Sequence, residues 1–268
     1  MDILEQIIAT KRIEVAHQKE AIPLRTLLAM GNDRLDRNSP SMRKALAASP
    51  SGIIAEFKRK SPSKGWLHPD AEITDILPLY EQGGAAACSI LTDKVYFGGS
   101  LNDLQKARKQ VDIPLLRKDF IIDPYQIYQA KIMGADAILL IAACLTTDEC
   151  RELAQTAHSL GLEVLLEIHS SEELKYLNQH IDLLGVNNRN LGSFHTDINN
   201  SFRLIEEIKQ YLGDKATSPL LVAESGISQT NAVKALRATG FQGFLIGETF
   251  MKTGNPGLTL SNFIQELL

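Results

Sequence analysis

The sequence predicts a (β/α)8 TIM barrel with extra N-terminal helices, and three observations predict it. From Gly52 onward, eight short runs rich in Ile, Val and Leu alternate with longer amphipathic stretches. Strict alternation of strand and helix indicates a parallel sheet. The chain has 268 residues, close to the roughly 250 of one such barrel. The alternative is an open doubly wound sheet. No GxGxxG follows the first strand, however, and eight units exceed what most open sheets use.

The predicted strands are Ile53–Lys58, Ala86–Leu91, Leu115–Lys118, Ala137–Ile141, Val164–Glu167, Leu183–Asn187, Leu220–Ala223 and Phe244–Ile246. Predicted helices between them include Pro124–Met133, Thr147–Leu160, Ser171–Asn178, Ser201–Tyr211 and Ser228–Ala238, several opening on a capping Ser, Thr or Asp. Gly134, Gly161 and Gly240 follow three of these, where a left-handed residue ends a helix. Residues 1–50 read as a helical extension packed on the barrel, so that 1–268 form one domain. In Met1–Gln18, Ile3, Ile7, Ile8 and Val15 recur at helical spacing; Gly31–Pro40 is polar and turn-like, and Met42–Ala48 predicts a short helix.

Composition narrows the function. A chain 44% hydrophobic and 22% charged builds a sizeable core. Its net charge of −4, with no dominant Lys/Arg run, gives no footprint for nucleic acid. No apolar run reaches the roughly 18 residues of a membrane span, and the charged N-terminus lacks the apolar core of a signal peptide. Cys88, Cys144 and Cys150 have neither disulfide nor zinc spacing. His68, His158, His169, His180 and His195 are scattered and read as surface or loop residues, not metal ligands. A cytoplasmic protein with no metal-ligand spacing is expected.

The polar residues that interrupt the strands point to chemistry. Residues two apart on a strand share a face. In the first strand Ala55 and Phe57 face the helices, whereas Ile54, Glu56 and Lys58 face the barrel axis. Lys118 closes the third strand, Glu167 the fifth, Asn187 and Arg189 the sixth, and Glu224 the seventh. Inward charges are costly if buried alone and sensible if they meet a ligand. They also cluster at the C-terminal rim, where barrel enzymes keep their active sites. Ser225-Gly226 follows the seventh strand and Gly247-Glu248 the eighth, the usual phosphate position of this fold. The basic loop Lys58-Arg59-Lys60-Ser61-Pro62-Ser63-Lys64-Gly65 reads as a lid over a charged substrate. Trp66, at its end, reads as packing. Lysine acts as an acid near neutrality when burial or a second lysine lowers its pKa. Lys58 and Lys118 converge and the glutamates oppose them, and the sequence leaves that balance open.

AEFKRKSPSKG, LTDKVYFGGS, LRKDFIIDPYQI, LLEIH, GVNNRNL, VAESGI and FLIGE occur in order at nearly every strand end. Together they resemble the indole-3-glycerol phosphate synthase family, over essentially the whole chain and including the N-terminal helices. KRKSPS and LRKDFIID are highly specific; VAESGI and IGE are shared with other phosphate-binding barrels. The resemblance implies a carbon–carbon lyase of tryptophan biosynthesis, mostly monomeric in the family, without cofactor or metal. It converts 1-(o-carboxyphenylamino)-1-deoxyribulose 5-phosphate into indole-3-glycerol phosphate, carbon dioxide and water. It assigns Lys118 as the acid of ring closure and Glu167 as the base of dehydration. Lys58 engages the substrate carboxylate and is a second candidate acid, and Glu56 orients the lysines. Asn187, Arg189, Glu224 and Ser225 position the substrate, with Lys60 and Ser61 contributing from the basic loop. Gly226, Gly247 and the Glu248 amide cradle phosphate.

Asn190 stands where the family commonly has Asp, which puts the hold on Arg189 in doubt. Some relatives have Ser in place of Glu248, so only its amide is carried over. With the chain ending at Leu268, a fused phosphoribosylanthranilate isomerase barrel is not expected. Two other readings are an isomerase or tryptophan synthase α-like lyase, and a non-catalytic sensor of phosphorylated metabolites. The first would lack the KRKSPS loop and the paired Lys58 and Lys118; the second should have lost Glu167 or Lys118.

Overall fold

The computed structural model describes residues 3–190, 195–213 and 218–268. Met1, Asp2 and Leu191, the last residue of the GVNNRNL segment, lie outside them. Eight strands, β1 (Ile53–Phe57), β2 (Ala87–Leu91), β3 (Leu115–Lys118), β4 (Ala137–Ile141), β5 (Glu163–Ile168), β6 (Leu183–Asn187), β7 (Leu220–Glu224) and β8 (Gly243–Ile246), close into one barrel. All neighbours are parallel, and β1 pairs with both β2 and β8 to complete the ring. Every predicted strand is present within a residue or so at its ends.

Period-two alternation divides the core into two layers. Ile53, Ala55 and Phe57 face outward into the layer shared with the helices. Ile54, Leu116, Leu139, Leu165, Val222 and Leu245 face inward and fill the barrel. The helices start as their sequences direct. Asp123 caps Pro124–Met133 and Thr146 caps Thr147–Ser159, each in a reciprocal capping box. Gly134, Gly161 and Gly240 take left-handed conformations at the expected positions.

The N-terminal segment holds four helices: α1 (Ile3–Ala21), α2 (Leu24–Met30), α3 (Asn32–Leu35) and α4 (Met42–Ala48). The turn expected over Gly31–Pro40 is therefore partly helical at α3. Helix α4 plugs the N-terminal end of the barrel. Its Met42 and Leu46 are buried in the inner layer, and Ser41 is hydrogen-bonded to Glu163 at the start of β5. Helix α1 covers the opposite end. Its Lys11 is 1% exposed and lies 2.9 Å from each of Glu14, Asp93 and Asp119. The carboxylates outweigh burial and raise the Lys11 pKa, while Arg117 and Lys11 hold the buried Asp119 below the usual carboxylate range.

One predicted helix differs in kind. Ser171–Tyr176 is a 3-10 helix rather than an α-helix over Ser171–Asn178. The Glu173 carboxylate folds back onto the backbone N–H groups of His169 and Ser170, which tightens this turn. No helix among the described residues is long and apolar enough to cross a membrane.

Candidate active site

A cavity of about 450 Å³ opens at the C-terminal rim. Because β1, β3, β5 and β6 run parallel, their last inward residues arrive at one level. Glu56, Lys58, Lys118, Glu167, Asn187 and Arg189 accordingly line the same cavity, together with Ser61, Ser225, Gly226, Gly247 and Glu248. Its other wall is apolar: Ile3, Leu4 and Ile7 from α1, with Phe97, Phe120, Leu139 and Ile141.

The charges form a chain. Glu56 accepts from Lys58 at 2.6 Å and lies 3.3 Å from Lys118, whose ammonium donates to Glu224 at 2.9 Å. Burial disfavours each of these charges, and the pairing decides the outcome. For Lys118, burial is outweighed by Glu224, Glu56 and Glu167, so its pKa is raised and the ammonium persists. The balance left open by the sequence thus falls to the glutamates. Lys58 and Lys118 together overcome burial at Glu56 and lower its pKa to about 2. Glu224 goes the other way: burial and the fields of Glu167 and Glu56 exceed the pull of Lys118, raising it to about 7.

Two expected contacts are corrected. Glu224 is fully buried behind Lys118 and does not line the cavity, so its contact with the site is through the ammonium. Lys60 also points elsewhere. The basic loop folds as a hairpin, Lys60–Ser61 against Gly65–Trp66, and adjacent residues on it face opposite sides. Ser61 turns inward and is buried, whereas Lys60 donates to the Val95 carbonyl at 3.0 Å and covers the Trp66 ring. Trp66 itself lies against Gly98 but is 56% exposed, so the packing expected of it is confined to one side of the ring.

The two glycine loops are built for close approach. Ser225 and Gly226 both have positive φ, 67° and 76°, and a Cβ at Gly226 would meet Thr196 at 2.6 Å. At Gly247 a Cβ would fall 2.4 Å from the Glu56 carboxylate, so this glycine also makes room for the ion-paired chain. Arg189 is hydrogen-bonded to Ser63 of the hairpin and lies 3.5 Å from Glu248. Its backbone N–H donates to Asn187 Oδ1 at 2.9 Å. Despite the change at Asn190, the backbone there donates to the His195 carbonyl at 2.8 Å, and Arg189 bridges to Thr196.

Some residues of the site were not read from the sequence. Lys252, Thr249, Ser228 and Thr196 line the cavity. His169, read as a surface or loop residue, lies in the bend just after β5, with its side chain 17% exposed and 3.5 Å from Glu167. Its spacing of two from Glu167 in the sequence, just past the predicted strand, was the available signal. Lys11 was legible in the same way, since it interrupts the Ile3, Ile7, Val15 stripe at a buried position. Among the described residues no group of three or more His, Cys, Asp or Glu is placed to hold a metal ion.

Fold and site define a (β/α)8-barrel enzyme for a small anionic molecule with an apolar part. The family model described as indole-3-glycerol phosphate synthase matches residues 4–263. The indole-3-glycerol phosphate synthase of Bacteroides thetaiotaomicron is 58% identical over 266 residues, covering 99% of each chain. That of Polynucleobacter asymbioticus is 42% identical over 268 residues, covering 97% of this chain and 98% of the other. The chain belongs to the indole-3-glycerol phosphate synthase family. The tryptophan synthase α-subunit of Pyrococcus furiosus shares the fold at 15% identity and a TM-score of 0.60, over 81% of this chain and 97% of that one.

Proposed function

We propose that the chain converts 1-(o-carboxyphenylamino)-1-deoxyribulose 5-phosphate into indole-3-glycerol phosphate, carbon dioxide and water, at the rim cavity. One observation carries the reading: the Lys118 ammonium, held by Glu56 and Glu224, shares a half-apolar cavity with Glu167. The aromatic ring lies against Phe97, Phe120, Leu139 and the α1 residues. Gly226, Gly247 and the Glu248 amide hold phosphate, with Lys64 and Lys252 adding positive charge.

Lys58 fixes the substrate carboxylate. As the ring carbon bonds to the ribulose carbonyl carbon, the Lys118 ammonium, kept protonated by its glutamates, gives its proton to the strongly basic alkoxide that develops there. The C–CO2 bond then breaks and its electron pair restores aromaticity. In dehydration Lys58 protonates the leaving hydroxyl and Glu167 takes a carbon-bound proton. Two protons are given and one is taken, so one enters from solvent per turnover, matching the conversion of a carboxylate into neutral carbon dioxide. Asn187, Arg189 and Ser225 position the chain of the substrate, and Ser61 closes the loop side. The chain works as a single-domain monomer in the cytoplasm, with residues 1–50 packed on the barrel.

Incubation with the carboxyphenylamino-deoxyribulose phosphate tests the reading. Indole absorbance and fluorescence are expected to appear, and folded protein that yields no indole signal overturns it.

A further inference from the structure

Glu167 is only 3% exposed, yet the reaction above requires its carboxylate to be ionised and aimed at one carbon. Neither lysine is hydrogen-bonded to it; the nearby ring is that of His169, two residues further along the chain. His169 Nε2 lies 3.5 Å from Glu167 Oε1, and Nδ1 lies 3.7 Å from Glu173 Oε2 on the other side. Both ring nitrogens are buried and, among the described residues, lack a hydrogen-bond partner, so these two carboxylates are the groups the ring can serve. The scaffold around the ring is fixed. Glu173 accepts the backbone N–H of His169 at 2.5 Å, and Asn200 donates to the His169 carbonyl at 3.2 Å and to that of Asn187 at 3.3 Å.

The geometry points to His169 as a positioning residue for Glu167: an imidazolium clamped between two carboxylates, orienting the base. This rests on the reading of Glu167 as the base. The charged groups acting on the ring are Glu167 on β5, Glu173 in the 3-10 turn and Glu224 on β7. Burial works against the cation, and these carboxylates outweigh it, so the pKa of the ring is raised. The charged form therefore persists above the ordinary histidine range near 6.5 and is lost only on the alkaline side. Glu167 then loses its countercharge as pH rises.

The test compares pH profiles of kcat and KM for the wild type with those of His169→Leu, His169→Gln, Glu173→Gln and Glu167→Gln, each checked for folding by thermal melting. His169→Leu is expected to lower kcat about ten- to hundredfold, the worth of a contact to a charged group, with KM within about twofold. His169→Gln is expected to recover most of kcat while losing the alkaline limb. Glu173→Gln should move that limb to lower pH. A wild-type kcat in His169→Leu, or an unchanged profile in His169→Gln, overturns the assignment; if the leucine variant fails to fold, the glutamine profile decides. Glu167→Gln separates the two ideas. Full turnover there removes the base itself, whereas an inactive Glu167→Gln beside an unaffected His169→Leu removes only the role of His169.

Discussion

The Lys118 ammonium donates to the Glu224 carboxylate at 2.9 Å, and the acceptor has no exposed surface. A buried carboxylate crowded by Glu167 and Glu56 is hard to ionise, and Lys118 is the cation that offsets this.

The pH dependence follows from that pair. Glu224 is raised to about 7, so the site gains a negative charge as pH rises through neutrality. A limb near pH 7 is expected in kcat/KM, reported by the coupled carboxylates as a group. In Glu224→Gln it should vanish, and a profile identical to wild type would show that Glu224 does not titrate there. The stability sign is opposite to that of an ordinary carboxylate. With its folded pKa above its unfolded one, Glu224 stabilises the native state at low pH and loses that contribution between about 4.5 and 7.

Lys11→Met should destabilise the protein by about 3–5 kcal/mol, because it leaves Asp93 buried without its cation and Asp119 with Arg117 alone. Urea unfolding measures it. Helix α1 also supplies Ile3, Leu4 and Ile7 to the cavity wall, so KM should rise more than kcat falls. Since the Asp119 pKa is depressed, its share of stability is present above pH 4 and lost as pH falls through its folded value.

Gly247→Ala places a methyl group 2.4 Å from the Glu56 carboxylate. Overpacking costs about 1–3 kcal/mol, and here the displaced group holds both lysines. Turnover should fall at least tenfold, while thermal stability changes modestly. Steady-state kinetics with the phosphorylated substrate checks this, and unchanged kinetics would separate Gly247 from the ion-paired chain.

At the far end of the barrel, Leu46→Ala should cost about 2–5 kcal/mol as a buried large-to-small change, with kcat unchanged. Urea unfolding and steady-state kinetics on one sample check both halves.

The strands were legible because their period is two and their runs are bounded by glycine and capping residues, and the inward position of Glu56, Lys58, Lys118 and Glu167 follows from that period alone. The 3-10 turn after β5 was not, since Ser171–Asn178 carries the same capping signal as an α-helix and only the fold-back of Glu173 decides. Lys60 misled because composition marks a loop as basic but does not say which lysine faces inward; hairpin pairing sets that. The direction of the Lys118 pKa depends on distances to three carboxylates from three strands, which no local pattern contains.

The most direct measurement is turnover and substrate binding of Lys118→Ala. Loss of two to four decades in kcat, the range for a positioned acid, with substrate still bound by titration, is the predicted result. An alanine variant that forms indole at the wild-type rate would contradict the account.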